Sequence, residues 1–121
     1  MAFTAGTILS AAALNEATGL TAETPFTTSS PAGAGWYRLT AGGMVEFHYE
    51  STGNVTSGSE VTITTLPANY RPAGLTALAA SGGVNGTRPA AAAIDSAGAV
   101  KLRNNYSSDI AVQIHGLFMV A

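Results

Sequence analysis

From residue 36 onward, short runs of alternating apolar and polar residues are separated by turn-forming residues roughly every 8 to 12 positions, the spacing of an antiparallel all-β domain. Residues 36–40 and 44–50 read as two strands. Ala41, Gly42 and Gly43 between them supply the positive-φ positions of a tight hairpin. In the second strand Val45, Phe47 and Tyr49 point one way and Glu46, His48 and Glu50 the other, which predicts one buried and one wet face. Residues 59–65 turn Val61 and Ile63 inward and Glu60, Thr62 and Thr64 outward. Pro67 ends that run because it cannot donate to a ladder, so 66–72 is expected as a shaped loop. Residues 75–81 and 88–94 are the next two strands, and their alanines are weak β formers that need tertiary support. A turn at 95–98 leads into 100–103, and 104–108 is a further turn. The last run alternates through Ile110, Val112 and Ile114, and Gly116 then admits a bulge before Leu117. Its nearly continuous apolar end predicts a central strand.

The first third has a different texture. Ser10 is a good helix N-cap, Ala11 to Ala17 are helix formers, and Gly19 sits at the C′ stop. A helix of about two turns is marginal in water and has to be held by packing. Ile8, Leu9, Leu14 and Leu20 are its apolar contacts and are expected to dock on another chain. Residues 21–35, rich in Thr, Ser and Gly with prolines at 25 and 31, show no sustained periodicity and read as an extended linker, with Phe26 as an anchor point. The expected organisation is therefore a docking arm and linker over 1–35, followed by a β-module over 36–121 in which Trp36 plugs the interior.

Composition narrows the function. A chain of 121 residues fits one domain, and the absence of cysteine excludes disulfides, thiolate metal sites and a cysteine nucleophile. Charged residues make up 10% of the chain against about 25% for an average soluble domain, which implies a neutral surface suited to contacts inside an assembly. Arg38, Arg71, Arg88, Lys101 and Arg103 are spread along the sequence without forming a basic stripe, so nucleic acid is not an expected partner. No apolar run approaches the ~20 residues of a membrane span, and the segment 8–14 lacks the basic start of a secretory signal.

The string WYRLTAGGMVEFHYES, the downstream TITTLPANYRPAG, the turn DSAGAVKL and the terminal IHGLFMV together resemble the small β-sandwich modules of bacteriophage virion proteins. Such modules occur in capsid decoration and head-fibre proteins and at the ends of minor tail and tail-fibre proteins. The opening FTAGTILSAAALNEA is similar to the leader of small head and tail proteins of actinobacterial phages. The resemblance implies an antiparallel, jelly-roll-like β-sandwich that forms a homotrimer within the virion. It also implies attachment through the arm to major capsid or tail proteins, and it carries no catalytic residues or cofactors. The leading expectation is a decoration or head-fibre protein, because one arm and one module leave no shaft. The alternative is a minor tail protein that contacts a host surface glycan or protein.

Specific chemistry is sparse. Glu46, His48 and Glu50 share one strand face at a spacing of about 7 Å, so two of them could hold a cation, but the set is incomplete without ligands from a second strand. The same face serves equally as a solvated or inter-subunit surface, and His115, on the outer side of the last strand, reads as structural. Neither a nucleophile elbow nor a phosphate-binding glycine loop occurs. Glu46 and Glu50, the one close pair of acids, lack the apolar pocket that a glycan-cleaving pair requires, and an enzyme is not expected. Tyr70, in the NYRP loop, and Tyr106, in the NNYSS turn, are the candidates for surface binding.

Overall fold

The computed structural model describes residues 22–40 and 42–121, and the expected arm contacts Ile8, Leu9, Leu14 and Leu20 lie outside them. Eight strands follow one another: β1 Thr24–Ser29, β2 Ala32–Leu39, β3 Met44–Ser51, β4 Glu60–Thr65, β5 Thr76–Gly82, β6 Arg88–Ile94, β7 Ala99–Asn104 and β8 Val112–Met119. All pairings are antiparallel, in the order β1-β2-β3-β8-β5-β6-β7-β4. β5 joins the halves: it pairs with β8 through Ala79–Gly82 and with β6 through Thr76–Leu78 and Ser81–Gly82. The end strands β1 and β4 touch, so the sheet curls into a nearly closed barrel around one core. The expected all-β antiparallel class is thus present, as one continuous sheet.

Several elements follow the sequence pattern closely. Val45, Phe47 and Tyr49 are fully buried, and β8 lies inside the sheet between β3 and β5. Gly42 and Gly43 have φ of 80° and 78°, the left-handed values that a β-branched residue resists. Leu66 is buried at the head of the expected loop, which contains a single 3-10 turn, Ala68–Tyr70. Arg71 Nε donates to Leu66 O at 2.8 Å, and Leu66 N donates to Gly98 O at 2.9 Å, so the loop is tied to the β6–β7 turn.

Three expectations are corrected. Residues 24–29 and 32–35, read as linker, form β1 and the start of β2. The run has no visible periodicity because Gly33 and Gly35 occupy inward positions where a strand ordinarily shows apolar side chains. A Cβ on Gly35 would stand 2.6 Å from the Phe26 ring, and one on Gly33 would stand 2.5 Å from the Tyr49 hydroxyl. The empty positions are filled from β1 and β3. Trp36, expected to plug the interior, therefore faces outward while Tyr37 and Leu39 pack against the core. Gly116 makes no bulge, since β8 keeps one register with β3 from Met119 to Gln113. Its missing side chain makes room for Leu78, whose Cδ2 would be 2.5 Å from a Cβ there. The register shift falls instead between Thr62 and Thr64 in β4, around the buried Ile63.

The two buried polar residues among the described residues, Asn104 and Ser51, are satisfied. Asn104 Nδ2 donates to Val55 O and Ser108 O at 2.8 and 2.9 Å, and its Oδ1 accepts from Tyr106 N at 2.8 Å. Ser51 Oγ accepts from Val112 N at 2.8 Å. These bonds fasten the loops after β3 and β7 at one end of the barrel, where an unpaired group would cost about 1–3 kcal/mol.

Candidate functional site

The outer faces of β2, β3 and β8 line up in register. Trp36 is opposite His48, and His48 is opposite His115 on the other side. Inward packing of Tyr37, Phe47 and Ile114 turns all three rings outward, because side chains alternate along a strand. The Trp36 and His48 rings stack with centroids 5.8 Å apart and 24° between planes. His48 and His115 meet edge to face at 5.7 Å. Arg38, two residues along β2, places its guanidinium carbon 5.2 Å from the centre of the Trp36 ring. Its Nε and Nη2 both reach Glu46 Oε2 at 2.9 Å, and Glu23 lies 3.8 Å from Nη1.

Beyond the imidazoles, a depression of about 350 Å³ is lined by His48, His115, Gln113, Ser81 and Ala79. Gln113 Oε1 is buried there with no hydrogen-bond donor. Glu50 stands opposite Gln113 and is exposed. Of the face Glu46, His48 and Glu50 considered from sequence, Glu46 is engaged by Arg38, which leaves His48 and Glu50. Among the described residues, no group of three or more His, Cys, Asp or Glu side chains is placed to hold a metal. The partner of His48 is His115, from a strand distant in sequence. Only the β3–β8 pairing brings the two together, so no local motif could have shown it.

The two candidate tyrosines sit at opposite ends of the barrel. Tyr70 packs edge-on against Tyr37, ring centroids 5.0 Å apart, at the end where the chain terminates. Burial raises the Tyr37 hydroxyl pKa above its usual value, and the neighbouring Tyr70 adds to that rise. Tyr106 lies at the other end of β7, with the Arg88 guanidinium carbon 4.6 Å from its ring centre and its carbonyl accepting from Ser57 Oγ at 2.5 Å. Both rings are half-buried, and they do not form one surface.

Outside these positions the sheet surface is partly apolar, with Glu60, Asp95, Lys101 and Arg103 grouped around Leu75 and Ala91. Leu75 is 79% exposed, Leu117 58% and Met119 59%, and the outward Ala77, Ala79 and Ala91 are also exposed. Comparison with known protein families and with curated proteins finds no match for this chain.

Proposed function

We propose that this protein is a non-enzymatic structural component of a bacteriophage virion, a homotrimeric capsid decoration or head-fibre protein attached through its N-terminal arm. The observation that carries the reading is the surface of the β5–β6–β8 region. Exposed Leu75, Leu117 and Met119, with the exposed alanines 77, 79 and 91, are apolar positions open to lateral contact between subunits, and Glu60, Asp95, Lys101 and Arg103 beside Leu75 and Ala91 offer charges of both signs to such a contact. The strings that resemble phage modules also fall on coherent pieces of the fold. WYRLTAGGMVEFHYES is the β2–β3 hairpin, and TITTLPANYRPAG runs from β4 through the tied loop. The jelly-roll-like sandwich of those modules is the finer fold assignment that accompanies this proposal. Its support is the bend at β5, which sets two halves of the sheet across one core.

The alternative, a minor tail protein that contacts a host surface glycan or protein, draws on the Trp36–His48–His115 face and on Tyr106, where rings are reachable from solvent. Light scattering on the purified chain tests assembly: three times the 12.1 kDa protomer mass is expected, and a well-folded monomer at micromolar concentration overturns the trimer. Gold-labelled antibody on intact virions tests location. Label over the head supports decoration, label at the tail supports the alternative, and unlabelled virions overturn both.

A further inference from the structure

We propose that His48 and His115 form a cross-strand binding site for a borderline divalent cation of the zinc and copper class. The two residues are directly opposed on β3 and β8, both point outward, and their ring centroids are 5.7 Å apart. Two imidazoles bound to one tetrahedral ion at about 2.0–2.1 Å hold their centroids roughly 5 Å apart, close to the spacing seen, and turning the edge-to-face rings about their Cβ–Cγ bonds brings a nitrogen of each to the ion. The strands fix the spacing. The backbone share of the ordering entropy is therefore met by folding.

The surroundings favour a cation. Arg38 is the nearest positive charge on β2, and it is neutralised by Glu46 at 2.9 Å, with Glu23 at 3.8 Å. Glu50 follows His48 on the same face of β3, about 7 Å along the strand, and contributes negative potential. Trp36 is stacked on His48 at 5.8 Å, next to the pair. Two nitrogens fill half of a tetrahedral shell and leave two positions for water. Nitrogen ligands select zinc, nickel and copper over magnesium and calcium, which prefer oxygen.

Trp36 is the single tryptophan of the chain and reports on the site. The full-length protein, titrated with copper(II) chloride, should show saturable quenching of Trp36 fluorescence at one ion per chain, and zinc chloride should compete with it. Magnesium chloride should leave the emission unchanged. His48→Asn and His115→Asn, each with an unchanged far-ultraviolet circular dichroism spectrum, should weaken binding at least tenfold. His115 is exposed and Asn keeps a polar group there, so that variant tests the site independently of any effect on Trp36 stacking. The proposal is overturned if wild type shows no saturable quenching up to millimolar copper, if magnesium quenches equally, or if His115→Asn binds as tightly as wild type.

Discussion

The two halves of the barrel fill their interior in different ways. On the β1–β2–β3 side, four rings form a cluster: Phe26 stacks on Phe47 at 5.7 Å and on Tyr49 at 5.9 Å, with Tyr37 at 6.4 Å. On the β4–β7–β6 side the core is aliphatic, with Ile63, Ala92, Ile94, Val100 and Leu102 all buried. Large rings require empty positions opposite them, which Gly33 and Gly35 provide. The aliphatic half instead uses medium side chains over small ones, with Ala90 and Ala92 on the inner face of β6. The aromatic half should therefore be most sensitive to loss of volume and the aliphatic half to gain of volume.

Phe47→Ala gives the largest expected effect. It removes a fully buried ring that supports Phe26, and it should cost about 3–5 kcal/mol in urea denaturation, against about 0.5–1.5 for Ile94→Val. A cost for Phe47→Ala below that of Ile94→Val would show that the ring cluster collapses into its own space, and the contrast between the halves would fail. Ala92→Leu comes next. It adds volume where β6 lies between β5 and β7, and it should lose about 1–3 kcal/mol by the same measurement. A neutral result would mean that the aliphatic half has spare room.

The same contrast explains what was legible in the sequence. Strands whose inward positions carry side chains announce themselves by alternation, as Val45, Phe47 and Tyr49 do, and as Val112 and Ile114 do. The start of β2 is hidden because its inward positions Gly33 and Gly35 are filled only by Phe26 and Tyr49 from neighbouring strands, and β1 because Phe26 shares its half-buried side with the polar Thr28. Trp36 faces outward for a related reason. Once the strand is seen to begin at Ala32, the inward parity belongs to Gly33, Gly35, Tyr37 and Leu39. His48 was visible as an outward residue, but its pairing with His115 depends on strand order, which no periodicity encodes. Tyr70 and Tyr106 lie outside the strands, as their turn residues predict, and their contacts with Tyr37 and Arg88 are likewise long-range facts of packing.

Tyr49 carries the smallest effect at neutral pH and the sharpest test of the aromatic half at high pH. Thr28 Oγ1 donates to Pro31 O at 2.6 Å, so in its 2.7 Å contact with Tyr49 it accepts from the phenol. Tyr49→Phe removes that one donor and keeps the ring, and it should cost about 0.5–1.5 kcal/mol at pH 7. Burial raises the Tyr49 pKa above its usual value. A raised folded-state pKa means that the folded chain holds its proton after the unfolded chain has released it. The resulting stability is fully present below about pH 10, the unfolded value, and is lost as the pH rises through the folded value. Phenylalanine cannot ionise, so the advantage of wild type over Tyr49→Phe should shrink as urea midpoints are followed from pH 8 into the alkaline range. Tyr37, raised in the same direction by burial and by Tyr70, remains in the variant and keeps some alkaline loss in both proteins. A constant difference between the two proteins across that range would mean that the Tyr49 hydroxyl titrates as it does in the unfolded chain, and that the ring cluster admits water up to the Thr28 contact.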